Sequence, residues 1–135
     1  MAEVAKSGTP SLYSVINDHD TTHRVGPGLK AGAAIAAGDA CYIATTGLVH
    51  PATGAAANAA AKVRGFAAMA AASGEAVTLL HDVEFEYGSG MTPGTNLFLS
   101  GATAGGLADA ASTGGTGVIG FVVTATRIRV FVGLY

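Results

Sequence analysis

The stretch Asp82-Val83-Glu84-Phe85-Glu86-Tyr87 alternates carboxylate and apolar side chains over three full periods. In an extended strand successive side chains point to opposite faces, so Val83, Phe85 and Tyr87 share one face and the three carboxylates share the other. The pattern predicts a half-buried strand with an acidic face turned to solvent or to an interface. Paired carboxylates also serve acid–base chemistry, but so regular an alternation favours the strand reading. A row of like charges repels itself, so the stretch calls for a basic surface opposite. Arg127-Ile128-Arg129-Val130 has the matching alternation, with two arginines on one face and Ile128 and Val130 on the other. Those arginines would serve from within the chain or from a neighbouring copy.

Outward from these two segments the chain reads as short strands cut by glycine turns. Candidate strands run from Ala40 to Thr45, Val63 to Met69, Ala76 to Leu80, Val83 to Tyr87, Asn96 to Ser100, Val118 to Thr124 and Ile128 to Val132. Gly38-Asp39, Thr46-Gly47, Ser73-Gly74, Pro93-Gly94, Gly105-Gly106 and Gly114-Gly115 punctuate them. Such spacing predicts an all-β domain, a small barrel or a sandwich. The alanine-rich run from Ala55 to Lys62 is the one helix candidate. It lacks an amphipathic stripe, so helix and loop both stay open there.

The chain also carries an internal duplication. Gly38-Asp39 leads into Cys41-Tyr42-Ile43, and Gly94-Thr95 leads into Leu97-Phe98-Leu99. Gly-Leu follows in each unit (Gly47-Leu48 and Gly106-Leu107), then Gly-Phe (Gly65-Phe66 and Gly120-Phe121), then an apolar strand (Val77 to Leu80 and Ile128 to Val132). Two such units would pack about a pseudo-two-fold axis. The domain expected is residues 29–135, preceded by an extended polar arm over residues 1–28. Past Val130 the chain has no polar side chain until the phenol of Tyr135, which suggests an end tied into the sheet.

Composition narrows the function classes. A formal net charge of -2 and few basic residues give no pull toward nucleic acid or anionic lipid. Only 12% of the 135 residues are charged, against about 25% in an ordinary soluble domain, which suits a surface covered by a partner. The hydrophobic half of the sequence is largely alanine, and 20 glycines weaken the isolated fold. Assembly would offset that weakness. No leader pattern and no span-length apolar run is present, so a soluble protein made in the cytoplasm is expected. Cys41 lacks a second cysteine for an internal disulfide and reads as a small buried hydrophobe.

Candidate chemistry is sparse. Asp18-His19-Asp20-Thr21-Thr22-His23 holds metal-ligating residue types, but Thr21-Thr22 and Gly26-Pro27 disfavour the helix that would bring His19 and His23 together. His50 and His81 stand alone. Gly115-Thr116-Gly117-Val118-Ile119-Gly120 has the dinucleotide-binding glycine spacing, yet leads into a β-rich run where that motif needs a helix. No nucleophile elbow, phosphate loop or paired-cysteine zinc motif is found. The expectation is a protein without catalysis and without a cofactor.

Leu29-Lys30-Ala31-Gly32-Ala33-Ala34-Ile35-Ala36-Ala37-Gly38-Asp39-Ala40 resembles the opening of small phage and prophage capsid decoration (head cement) proteins. Val63-Arg64-Gly65-Phe66-Ala67, Ser73-Gly74-Glu75-Ala76-Val77, Gly120-Phe121-Val122-Val123 and Arg127-Ile128 fit the same pattern, so the resemblance spans residues 29–135. It implies a β-barrel that sits on the outer capsid surface, commonly as a trimer, and clamps subunits of the major capsid protein. It carries no catalytic residues. Leu12, Tyr13, Val15, Ile16, His19, His23 and Arg24 would then contact the capsid, with Leu12 to Ile16 adding a strand to an exposed edge. Glu84, Glu86, Arg127, Arg129, Phe131 and Tyr135 would form the contact between copies. A tail-tube, head-fibre or adhesion module is the alternative, and an enzyme or ligand-binding barrel built on the Asp18–His23 cluster or the acidic strand is a third.

Overall fold

Short apolar runs separated by glycine turns form eleven short strands in the computed structural model, which describes residues 3–12 and 28–132. The strands are β1 Glu3–Val4, β2 Ser11–Leu12, β3 Ala40–Ile43, β4 Val49–Pro51, β5 Gly65–Ala67, β6 Leu79–Leu80, β7 Val83–Glu86, β8 Asn96–Leu99, β9 Leu107–Ala108, β10 Gly120–Val122 and β11 Arg127–Val130. Six of the seven strand segments expected from the sequence contain one of them, and the seventh, Ile128 to Val132, overlaps β11. The helix candidate shrinks to a 3-10 turn, Ala59–Ala61, which Asn58 caps by accepting from the Ala60 backbone N–H. Glycines on both sides and the missing apolar stripe leave no reason for it to lengthen.

Two antiparallel sheets result. One has seven strands in the order β1-β9-β8-β10-β11-β7-β2, the other four in the order β4-β3-β5-β6. Alternation decides which side chains meet. Ala40, Phe66 and Leu80 of the four-stranded sheet pack with Val83, Phe85, Leu97, Leu99, Leu107, Val122, Ile128 and Val130 of the seven-stranded sheet in the main core. The opposite face of the four-stranded sheet, with Cys41, Val49, Ala67 and Leu79, is also buried. Ala31, Ile35, Ala71 and Val77 cover it, held there by isolated bridges between Lys30 and Ala76, Ala31 and Val49, and Ile35 and Ala71.

The duplication read from the sequence is written into the backbone. Within each unit the first strand pairs with the second and third, and the third pairs with the fourth: β3 with β4 and β5, then β5 with β6; β8 with β9 and β10, then β10 with β11. Gly65 lies opposite Cys41, and Gly120 lies opposite Leu97. Individual hydrogen bonds recur at matching positions. Asp39 N–H donates to Ala36 O and Thr95 N–H to Thr92 O; Gly38 N–H donates to Ala67 O and Gly94 N–H to Val122 O. The two turns need a glycine for the same reason, since Gly38 and Gly94 have φ of 79° and 88°.

Residues 3–12, expected as part of an extended arm, supply both edge strands of the larger sheet: β1 pairs with β9 and β2 with β7. Leu12 pairs through its backbone with Phe85 of its own chain. Between the edges runs a link of residues 5–10. Ser7 N–H donates to Tyr87 O, and the Lys6 ammonium meets the Asp39 carboxylate. Seven residue steps reach at most about 25 Å, less than the roughly 29 Å that six inter-strand spacings give in a flat sheet. The sheet is therefore curved. Among the described residues its two edge strands do not pair and no barrel closure is found, so the fold is an all-β, sandwich- or barrel-like arrangement of two sheets.

Candidate interaction face

One side of the seven-stranded sheet faces the core; the other carries partly exposed side chains. On β11 the inward residues are Ile128 and Val130, and Arg127 and Arg129 point outward. On β7 Val83 and Phe85 are inward, with Glu84 and Glu86 outward. The register sets Arg127 opposite Glu86 and Arg129 opposite Glu84. The basic surface that the acidic row requires is therefore supplied within the chain. Arg127 lies 3.8 Å from both Glu84 and Glu86, and Arg129 lies 3.7 Å from Glu84 and 2.9 Å from Asp82. Half-exposed pairs at such separations contribute about 0–1 kcal/mol each. Their larger effect is to cancel the repulsion of the row and leave the face close to neutral.

Beside this ladder lies apolar surface that the sequence reading did not single out. Phe121 on β10 is opposite Arg129 on one side and Asn96 of β8 on the other. It is 40% exposed, and its ring lies 6.3 Å from that of Phe131. Glu84, Arg129, Phe121 and Asn96 thus form one outward row across four strands. Of the residues expected to form the contact between copies, Glu84, Glu86, Arg127, Arg129 and Phe131 share this face or its margin, and Tyr135 lies outside the described residues. The local Gly-Phe dipeptide carries no signal for Phe121; only the register brings it between two polar neighbours, Arg129 and Asn96.

The remaining candidates separate cleanly. Tyr13, Val15, Ile16, His19, His23 and Arg24, with the whole Asp18–His23 cluster, lie outside the described residues. Among the described residues no group of three or more His, Cys, Asp and Glu side chains is placed to hold a metal. His50 stacks on Tyr42 with ring centroids 5.7 Å apart. Cys41 is fully buried and its Sγ donates to Asp39 O. Burial, with the Asp39 carboxylate nearby, pushes its thiol up to about 12, far from thiolate chemistry. The Gly115–Gly120 stretch ends in β10, and Gly115 N–H is taken by Ser112 Oγ, a turn contact. Among the described residues no helix is long and apolar enough to cross a membrane.

Two clefts flank residues 3–7, of about 430 and 240 Å³. Their ionisable groups include Glu3, whose carboxylate accepts from Ser100 Oγ, and Lys6, held by Asp39. Tyr87 lines the smaller cleft, where its buried hydroxyl has no hydrogen-bond partner. Burial, reinforced by Asp39 and Glu3, pushes the phenol pKa up and keeps its proton in place. A buried neutral phenol beside two engaged carboxylates supplies neither nucleophile nor base.

No known protein family, no curated protein and no solved structure matches this chain.

Proposed function

We propose that the chain is a structural virion protein, a capsid decoration protein that binds the outer surface of the major capsid protein shell and stabilises it without catalysis. The observation that carries this reading is the open face of the seven-stranded sheet. Its charges are neutralised by their own cross-strand neighbours, and Phe121 and Phe131 stand beside them. Such a face suits packing against protein. Glu3, Lys6 and Asp39, by contrast, are engaged in contacts that hold the fold together. The sequence resemblance over residues 29–135 supports the choice of a capsid among possible partners. It also supports several linked copies, commonly three, since side-by-side copies gain affinity by binding together.

The test is cosedimentation of the full chain with expanded, undecorated capsids. Truncating residues 1–28 would remove both edge strands, so the arm is better probed by substitution: Tyr13→Ser, Val15→Ser and Ile16→Ser in one variant. Saturable binding by the full chain, weakened in that variant, is the expected result and would place the capsid contact on the arm. Failure of the full chain to sediment with capsids would overturn the reading and favour a tail, fibre or adhesion module.

A further inference from the structure

We infer that the open face of the seven-stranded sheet, centred on Phe121, is the surface on which a second copy of this chain sits. The inference rests on the duplication. Register equates Phe66 with Phe121, Ala40 with Asn96 and Leu80 with Arg129, since each set occupies the same rungs of its unit. In the first unit this face packs against a sheet: Ala40, Phe66 and Leu80 lie in the main core. In the second unit the corresponding face looks outward, with Phe121 and Asn96 exposed. Among the described residues the fold has thus used one copy of a sheet-packing face and left the other without a covering sheet.

Charge points to the same occupant. The acidic stripe of β7 (Asp82, Glu84, Glu86) lies beside the basic stripe of β11 (Arg127, Arg129). A strongly acidic or strongly basic partner would meet one stripe favourably and the other unfavourably. A second copy carries both stripes, so each finds its complement across the contact, as self-complementary surfaces in oligomers do. Pairing within each copy means that no isolated charge is buried when the faces meet. Phe121 and Phe131 supply the apolar centre that such contacts need. This assignment predicts a two-fold contact, a different arrangement from the three copies that the resemblance implies, and does not depend on the capsid.

Light scattering on the eluting full chain tests it, comparing the native sequence with Phe121→Glu. A folded-state check by circular dichroism accompanies each sample. The expected result is an oligomer for the native sequence and a mass close to the 13.2 kDa single chain for the variant. A second variant guards against misfolding. Phe121→Cys adds a surface thiol to a chain whose one cysteine is buried, and a short bis-maleimide should then link two copies through it. A native oligomer that persists in Phe121→Glu, or fails to crosslink through Phe121→Cys, overturns the assignment while leaving the multi-copy reading standing. A native monomer overturns both, and capsid binding is then judged by cosedimentation alone. A Phe121→Glu protein that stays oligomeric but no longer binds capsids would mean that the capsid occupies this face, which also overturns the assignment.

Discussion

Arg129 Nη2 donates to Asp82 Oδ1 at 2.9 Å, and Asp82 is the one non-glycine among the described residues with positive φ, at 57°. The ion pair thus anchors a strained turn between β6 and β7. Aspartate tolerates the left-handed region better than most residues, because its short polar side chain bonds locally. Alanine does not have that help.

Asp82→Ala should therefore destabilise by about 1–2 kcal/mol, combining left-handed strain with a partly screened charge contact. Asp82→Gly should cost less, because it relieves the strain and loses only the contact. Urea unfolding of the three proteins checks the order. Equal losses for alanine and glycine would show that backbone strain contributes nothing at this position.

Phe66 and Phe121 fill equivalent slots with opposite exposure, 0% against 40%. Phe66→Ala should cost about 3–5 kcal/mol, the range for a large core truncation. Phe121→Ala, measured where the protein is monomeric, should fall within about 1 kcal/mol of the native sequence, as open surface positions do. Similar losses at both sites would mean that Phe121 is buried in the single chain.

This pair also marks what the sequence could and could not disclose. The alternation at Asp82–Tyr87 and Arg127–Val130 foretold which side chains face inward, and the glycine turns foretold the repeated unit. Gly65-Phe66 and Gly120-Phe121 look alike as text, yet the way two sheets stack turns one ring in and the other out. That choice is made by the long-range neighbours Leu80 and Arg129, not by the local dipeptide. The strands Glu3–Val4, Val49–Pro51 and Leu107–Ala108 are too short for period-two patterning to register, so pairing partners alone define them. The Lys6–Asp39 contact, between groups far apart in sequence, left no local trace.

Close approach separates two glycines of one loop. A Cβ on Gly114 would lie 2.3 Å from Ala56 O and 2.7 Å from Ala61 Cβ, whereas one on Gly117 would meet nothing within 4 Å. Gly114→Ala should destabilise by about 1–3 kcal/mol through overpacking. Gly117→Ala should be neutral or stabilising by up to about 1 kcal/mol, because it narrows the unfolded ensemble. Thermal unfolding of both variants distinguishes them, and a stable Gly114→Ala protein would contradict the packing described for this loop.

Alkaline sensitivity follows from Cys41 and Tyr87. The folded thiol keeps its proton to about 12, against an ordinary value of 9.0. The folded state therefore binds more protons than the unfolded state between those values. The contribution is fully present below pH 9 and is lost as pH climbs through the window, at up to about 1.4 kcal/mol per pH unit for one group. Tyr87 shifts in the same direction and adds to the loss above its own ordinary value of 10.0. Urea midpoints should hold up to about pH 9 and fall above it, and less so in Cys41→Ala. At pH 8 a thiol reagent should label Cys41 only as fast as the protein opens; immediate labelling would rule out the buried thiol.

The strap of residues 3–12 has a consequence for biosynthesis. Its Glu3 carboxylate bonds to Ser100, 97 residues further along the chain, and β1 waits for Leu107–Ala108 to be made. Contacts so distant in sequence form late, because the intervening loop must be ordered first. Until then both borders of the larger sheet present unpaired amides, the template on which nascent chains join one another. The segment synthesised before its partners thus becomes the sheet's own two edges, and the interval before it docks is when the inner borders are most exposed to mispairing.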